Sequence, residues 1–140
     1  MNQTRRDFAW LIPALTAATA AGADVKKLPS HAYRFEDLPE RANGPNISRQ
    51  IFDGALRQGF HIEAHETELG PGKEPHPSHH HVHEEILVVL EGSVDYTVAG
   101  VTTKLGPGGA GFVASNDEHH VRNNSTSARS RHVVVEFRGD

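Results

Sequence analysis

The chain contains no cysteine among its 140 residues, which excludes disulfides, thiolate metal ligands and cysteine nucleophiles. Aromatic residues are scarce at 6%, and basic residues are outnumbered by acidic ones. The resulting formal charge of −4 disfavours a general nucleic-acid-binding role. With 36% apolar residues the chain is too apolar for a disordered tail and too polar for a membrane protein. Its length suits one domain of ordinary size.

Histidine is the residue type that is abundant. The chain has 11 histidines against 14 lysines and arginines together. Histidine is the commonest protein ligand of metals and the usual general base. Seven of the histidines fall in two clusters, at residues 76–83 and 119–120. The placement of these clusters therefore decides which chemistry the protein can perform.

The first 23 residues have the layout of a bacterial export signal. The pair Arg5-Arg6 and then Phe8 precede an apolar stretch rich in alanine and leucine, and residues 21–23 form a small-residue cleavage site. The arginine pair with its neighbours resembles a twin-arginine signal. The apolar stretch is too short, and is interrupted by Pro13, for a stable membrane span. We expect residues 1–23 to be an export signal peptide and the protein to be periplasmic or secreted; a short amphipathic helix is the alternative.

Two further regions follow the signal. Residues 24–46 contain three prolines and little periodicity, which predicts an extended N-terminal arm on the surface. From residue 47 the pattern is typical of β-strands. Phe60, Ile62 and Ala64 alternate with polar residues, as in a half-buried strand. If the apolar residues face the core, His61 and His65 lie on the surface.

The rest of the chain predicts many short strands. They are expected at residues 85–90, 93–98, 101–105, 111–114, 119–122 and 132–137, and Ala99-Gly100 predicts a two-residue hairpin turn. No convincing helix of ten or more residues follows residue 24. Short strands separated by glycine and proline turns are typical of an antiparallel barrel or a double-sheet jelly roll. We therefore predict one all-β domain over residues 47–140.

The densest histidine cluster has the spacing of a metal site. In a strand, residues i and i+2 share a face and lie about 6.6 Å apart, so His79 and His81 can reach one ion. A ligand at i+4 on the same strand lies about 13 Å away and cannot share it. Further ligands must therefore come from a turn or a neighbouring strand. Glu85, which opens the next predicted strand, and the cluster at residues 117–120 can supply them.

These residues resemble the two sequence motifs of the cupin family. The first motif is carried by His79, His81, Glu85 and Gly92, with Gly72 one position further upstream than in the family pattern. The second is carried by Gly108, His119 and Asn123, with Ala114 and Asn116 where the pattern has proline and glycine. Asparagine tolerates the left-handed backbone conformation better than most other residues, so the second departure is mild. The 15 residues between the motifs are typical of small microbial cupins.

The resemblance implies an antiparallel double-stranded β-helix, the jelly-roll barrel of cupins, with one metal ion inside. The metal ligands that it implies are His79, His81, Glu85 and His119. Such a set suits a divalent transition ion, namely Mn, Fe, Ni, Zn or Cu, and does not select among them. The family also leads us to expect a homodimer. The net charge and the short apolar stretch described above lead us to expect no nucleic-acid partner and no stable membrane span.

The resemblance favours a metal-dependent enzyme of dioxygenase or lyase type that acts on a small oxygenated molecule. Glu85 is then the candidate catalytic base as well as a ligand. The alternative is a non-catalytic protein of the cell envelope that binds a metal or a small ligand, which the surplus histidines favour. A domain in which the metal only stabilises the barrel is a third interpretation.

The remaining residues of the two clusters receive separate predictions. Consecutive strand residues face opposite sides, and the motif spacing favours His119 over His120 as the one that points inward. His80 and His83 are expected at the surface, and His76 lies either at the mouth of the site or on the surface.

The orientation of His132 stays open. Asn123 is expected to stabilise the turn after His119 rather than to contact substrate.

Overall fold

The computed structural model describes residues 26–139, so the predicted export signal at residues 1–23 lies outside it. Within this range, a 3₁₀ turn at Phe35–Asp37 precedes nine strands. They are β1 (Glu40–Asn43), β2 (Asn46–Ala55), β3 (His61–Leu69), β4 (Glu84–Glu91), β5 (Val94–Val98), β6 (Val101–Leu105), β7 (Ala110–Val113), β8 (His119–Asn123) and β9 (Ser130–Arg138). The described residues include no helix that is long and apolar enough to cross a membrane.

The strands form two antiparallel sheets. One has the order β1-β2-β3-β9-β4-β7, and the other has the order β6-β5-β8. Strands distant in sequence, such as β3 and β9 or β5 and β8, are neighbours in the sheets. This wrapping is that of a jelly roll, and it confirms the predicted all-β class.

Two turns have the backbone conformations that the sequence predicts. Ala99 and Gly100 have φ angles of 48° and 80°, which gives the two-residue hairpin between β5 and β6. Asn116 has a φ of 65°, so it takes the left-handed conformation at the position where the family pattern has glycine. Local sequence therefore sets the chain direction at two places before the second histidine cluster.

Apolar side chains from both sheets form the core. It consists of Leu87, Val89, Val94, Tyr96, Val113, Val121 and Val134. Gly111 leaves room for the largest of them, because a Cβ at this position would lie 2.6 Å from Cδ1 of the Tyr96 ring. The close approach of β7 to Tyr96 therefore requires glycine.

The structure corrects the predicted orientation of β3. His65 and Thr67 line a cavity inside the barrel, whereas Phe60, just before the strand, is 68% exposed. The predicted surface location of His65 is therefore wrong, although His61 is partly exposed and pairs with Asp53 as a surface residue would. The physical reason is that the interior is polar at this end of the barrel, so the polar face of the strand is the inner one.

The segment predicted as an extended arm crosses the outer face of the large sheet. The backbone N–H of Leu28 donates to Ala55 O at 2.9 Å. The guanidinium groups of Arg49 and Arg131 each lie 4.7 Å from the centre of the Phe35 ring. The end of the segment, residues 40–43, is more regular than expected because it forms β1 and pairs with β2. The arm thus packs on the barrel through a few specific contacts.

Candidate metal centre

Two stretches of backbone carry the histidines of both motifs to one place. His79 and His119 form an antiparallel bridge in which each N–H donates to the other residue's carbonyl, at 3.2 and 2.9 Å. The N–H of Asn116 donates to His81 O at 2.8 Å. Residues 79–81 are therefore joined to the loop before β8 and to its first residue. As a result, one ring nitrogen from each of His79, His81 and His119 lies within 4.8 Å of the others.

Backbone carbonyls hold two of these rings in the form that a metal ligand needs. His81 Nδ1 donates to His83 O at 2.9 Å, and His119 Nδ1 donates to Asp117 O at 3.0 Å. Each hydrogen bond places the proton on Nδ1 and leaves the Nε2 lone pair free. His119 Nε2 is buried and has no hydrogen-bond partner among the described residues. A buried nitrogen without a partner is costly, so this atom fits a site that an ion fills.

Glu85 supplies the carboxylate of the cluster. It is 6% exposed, and its Oε2 lies 3.4 Å from His81 Nε2 and 3.5 Å from His119 Nε2. Its other oxygen, Oε1, accepts a hydrogen bond from the Tyr96 hydroxyl at 3.0 Å. Burial, followed by the adjacent Glu85 carboxyl, raises the pKa of Tyr96, so the phenol keeps its proton and orients Glu85.

His79 is suited to ligation by its protonation state. Burial, with smaller contributions from the imidazoles of His76, His119 and His81, lowers the pKa of His79 to about 4. The ring is therefore neutral at neutral pH, which metal ligation requires. Three imidazoles with one carboxylate form a donor set that suits a borderline divalent transition ion. The four sequence-predicted residues therefore lie together, and their chemistry fits the predicted ion.

The two adjacent histidines of the second motif face opposite sides. His119 is 3% exposed and points into the cluster. His120 Nε2 instead lies 2.6 Å from a carboxylate oxygen of Glu74, outside the cavity. The strand register predicted from the motif spacing is therefore the one observed.

The other histidines of the first motif surround the cluster. His80 is exposed, as expected, whereas His83 is half-buried. His76 lines the cavity with its ring 4.1 Å from that of His79, which favours the mouth of the site over the open surface. Asn123 is fully buried and donates to the carbonyls of Leu69, Gly70 and Ala128, so its role is to anchor loops.

A cavity of about 220 Å³ adjoins the cluster. His79, Glu85 and His119 contribute to its lining, together with apolar core residues such as Leu87 and Val134. Four further polar residues on β3 and β9 line it as well, and we refer to them as the β3–β9 wall: His65, Thr67, His132 and Glu136. A carboxylate oxygen of Glu136 lies within 4.8 Å of ligand atoms of His81 and Glu85.

Sequence reasoning did not find the β3–β9 wall. The available signal was the strand period of two, which puts His132, Val134 and Glu136 on one face of β9. Pairing Thr67 with His132 and Glu63 with Glu136 then places the polar residues of both strands on the same side. The direction in which that side faces is a property of the assembled barrel.

The two histidines of the wall differ in environment. His132 is 1% exposed, burial lowers its pKa to about 3, and its Nδ1 lacks a hydrogen-bond partner within residues 26–139. His65 Nδ1 lies 3.1 and 3.0 Å from the two carboxylate oxygens of Glu63. Burial acts to lower the pKa of His65, but the hydrogen bond and charge of Glu63 outweigh it, and the pKa is raised. One imidazole is therefore a neutral buried group and the other is paired with a carboxylate.

Comparisons with known proteins agree with this architecture. The family model described as "Cupin domain" matches residues 65–136. Similar solved structures include an RmlC-like cupin from Shewanella frigidimarina, with 19% identity, 79% and 93% of the two chains covered and a TM-score of 0.66. KdgF from Halomonas sp. has 15% identity, 80% and 97% coverage and a TM-score of 0.66. The polyketide cyclase RemF from Streptomyces resistomycificus has 25% identity, 79% and 80% coverage and a TM-score of 0.63.

A search of curated proteins found no match to the chain. The family model nevertheless covers more than half of the sequence, and its range includes both histidine motifs, Glu85 and the β3–β9 wall. The structural neighbours share the two-sheet jelly roll over most of their length. The chain belongs to the cupin family.

Proposed function

We propose that this protein is a metal-dependent cupin enzyme that acts on a small oxygenated molecule, with chemistry of the dioxygenase or lyase type. The observation that carries the proposal is the buried, unpartnered Nε2 of His119, which converges with His79, His81 and Glu85 beside a cavity of about 220 Å³. A metal that only stabilised the barrel would need no adjoining space. This site instead combines candidate metal ligands with an adjoining cavity that has room for a substrate.

Each residue has a definite role in this proposal. His79, His81 and His119 hold one divalent transition ion (Mn, Fe, Ni, Zn or Cu), with Oε2 of Glu85 as the carboxylate ligand. When bound, the ion supplies Lewis-acid polarisation of a substrate oxygen or lowers the pKa of a bound water. Tyr96 keeps Oε1 of Glu85 engaged, so Oε2 alone is directed at the imidazoles. Glu85 also lines the cavity, so it would serve as the proton acceptor once its Oε2 has left the ion.

Some neighbouring folds belong to named enzymes, so the fold is compatible with an enzymatic role, but the neighbours do not select a reaction. RemF is named a polyketide cyclase, and another neighbour is an oxalate decarboxylase of Bacillus subtilis, of which this chain spans 29%. At 18% identity the decarboxylase shares the fold alone. The choice between dioxygenase and lyase chemistry therefore rests on the cavity of this chain.

A non-catalytic binding protein is the second candidate function. It is favoured by histidines outside the cluster, of which His80 is exposed and His120 is paired with Glu74. Such a protein would bind several ions per chain, whereas the enzyme binds one tightly. The number of ions per chain therefore separates the two candidates.

Elemental analysis of protein purified without a histidine tag tests the proposal. We expect about one divalent transition ion per chain, lost in His81→Ala and His119→Ala and retained in the exposed control His80→Ala. Addition of azide to the cobalt-loaded protein should change its visible spectrum, because an enzyme keeps an open coordination position. Unchanged metal content in both ligand variants would overturn the metal assignment. A visible spectrum that does not change on addition of azide would favour an ion that only stabilises the barrel.

We also propose that the protein forms a homodimer through the outer face of its larger sheet. An apolar outer patch there comprises Ile62, Ile86, Phe112, Val133, Val135 and Phe137, which cross-strand pairing places on one face. Phe112 is 56% and Phe137 is 40% exposed. A contiguous apolar sheet face marks an interaction surface, and sheet-on-sheet packing of a second copy would cover it.

Finally, we propose that the chain is exported to the periplasm or beyond. The support is the order of regions in residues 1–23, with Arg5-Arg6 ahead of the apolar stretch. The precursor with Arg5-Arg6 changed to Lys-Lys should accumulate in the cytoplasm. Normal amounts of processed protein in the envelope would contradict the twin-arginine route.

A further inference from the structure

We propose that the cavity takes a small uncharged molecule with two oxygen functions. One function is directed at the ion held by His79, His81, Glu85 and His119, and the other is hydrogen-bonded by His65 and His132 of the β3–β9 wall. This inference rests on the proposed function, because its first contact is with the proposed ion. The inference goes beyond the proposed function in two respects: it names the charge class of the substrate, and it names the residues that bind the substrate's second oxygen function.

The charge of the cavity lining disfavours a phosphate or a dicarboxylate as the ligand. Within residues 26–139, no lysine or arginine lines the cavity, while Glu85 and Glu136 both do. Arg138 pairs with Glu136 at 2.9 Å and is not part of the lining. Glu85 offsets one charge of a divalent ion, so a doubly negative ligand would leave one uncompensated negative charge in a lining without lysine or arginine.

Two imidazoles of the β3–β9 wall have ring nitrogens that are available to hydrogen-bond a ligand. His65 uses Nδ1 to contact both oxygens of Glu63, so Nε2 is its remaining hydrogen-bonding atom. His132 lines the cavity while almost fully buried, and its Nδ1 has no partner in the described part of the chain. The neutral ring of His132 offers one donor and one acceptor, and Nε2 of His65 adds a further hydrogen-bonding atom, which together match a hydroxyl or carbonyl group of the ligand.

The dimensions of the site fit a molecule of this kind. Its volume of about 220 Å³ is below the range of about 300–1,000 Å³ that is usual for drug-sized ligands. Apolar side chains such as Leu87 and Val134 line the same cavity as the polar wall. The substrate therefore carries its polar groups at its ends and little bulk between them.

Ligand titration of the zinc-loaded protein, followed by NMR of its ¹⁵N-labelled histidines, tests the inference. The uncharged probes are dihydroxyacetone, catechol and acetylacetone, and dihydroxyacetone phosphate is the anionic counterpart. We expect at least one uncharged probe to shift the ring signals of His65 and His132, and the phosphate to bind at least tenfold more weakly than dihydroxyacetone. Tighter binding of the phosphate, or no binding of any uncharged probe, would overturn the inference.

Variants separate this inference from the metal assignment. His65→Asn and His132→Asn should each weaken binding of the uncharged probe about tenfold while retaining one zinc per chain. His61→Asn is the matched control, since His61 lies on the same strand but outside the cavity lining, and its affinity should be unchanged. Full affinity in the folded His65 variant would contradict the role of the wall. Absence of zinc from the unmodified chain would instead contradict the proposed function.

Discussion

At the scale of single residues, the contact between Tyr96 and Glu85 links the core to the candidate metal centre. The phenol belongs to the apolar core, yet its hydroxyl fixes one oxygen of the cluster's carboxylate. Gly111 makes this possible because it leaves space for the Tyr96 ring. Gly111, a variable position within the second motif, therefore influences the position of a proposed ligand.

Gly111→Ala tests this link. The new methyl group would overlap the Tyr96 ring, and overpacking of this kind costs about 1–3 kcal/mol of stability. We expect a lower free energy of unfolding together with weaker metal binding, measured by urea denaturation and metal titration. Gly106→Ala is the control, because nothing lies within 4 Å of a Cβ at that position. Unchanged metal affinity in the Gly111 variant would show that Tyr96 does not position Glu85.

His132 makes stability depend on pH. Burial lowers its pKa in the folded protein to about 3, whereas the ordinary value is 6.5. The unfolded chain therefore takes up a proton that the folded chain does not as the pH falls below about 6.5. The stabilising contribution is complete above that pH and is lost progressively towards pH 3, by at most about 1.4 kcal/mol per pH unit.

Urea unfolding of the chelator-treated protein at pH 7 and pH 5 measures this effect. We expect His132→Gln to lose less stability over this interval than the unmodified chain, because its amide does not titrate. The exposed His80→Gln should behave like the unmodified chain. An identical loss in the His132 variant would mean that this imidazole is not buried in its neutral form.

At the scale of elements, the loop after β8 is fixed by one buried side chain. Asn123 donates to the carbonyls of Leu69, Gly70 and Ala128, and its Oδ1 accepts from the N–H of Ser125. The end of β8 is thereby tied to the end of β3 and to its own loop. The prediction that Asn123 stabilises the turn is confirmed.

Asn123→Ala removes these bonds and leaves buried carbonyls without partners. With each hydrogen bond contributing roughly 1 kcal/mol, we expect a loss of about 2–4 kcal/mol in the free energy of unfolding. Asn124→Ala is the neighbouring control, since Asn124 Nδ2 makes a single side-chain bond, to Asp95. Equal stability losses for the two variants, measured by urea denaturation, would contradict the anchoring role.

At the scale of the whole molecule, the larger sheet has two different faces. Its inner face carries the cavity, and its outer face carries the apolar outer patch together with the arm packed at Phe35. The polar side of β3 therefore faces inward, opposite to the arrangement predicted from the sequence. A homodimer through the outer patch would leave the cavity accessible, because the patch and the cavity lie on opposite faces of the sheet.

Phe112→Lys should convert the proposed dimer into a monomer, because a charge within a sheet-on-sheet interface is desolvated without a partner. Light scattering coupled to size-exclusion chromatography measures the mass. Val101→Lys is the control, since Val101 is 68% exposed but lies on β6 of the other sheet. A monomeric unmodified chain, or a dimer that survives the Phe112 substitution, would contradict this interface.

The sequence by itself determined the features that depend on short-range pattern. Glycine and proline turns with alternating strands predict the all-β class, and Ala99-Gly100 predicts its hairpin. The parity of neighbouring strand residues allows only one of His119 and His120 to point inward. These features follow from backbone conformation and from a side-chain period of two, both of which are local. The proposed ligand set of His79, His81, Glu85 and His119 is instead what the resemblance to the cupin motifs implies.

Only the tertiary structure decided which face of each strand is the inner one. Alternation divides β3 into two faces but leaves their direction open, because that depends on what the neighbouring strands bury. The register with β9 places His65 on the inner face, beside His132 and Glu136, and the apolar residues of these strands lie in the outer patch. Tyr96 reaches Glu85 because β5 in one sheet lies across from β4 in the other. Contacts of this kind join residues distant in sequence, so they arise only when the two sheets pack together.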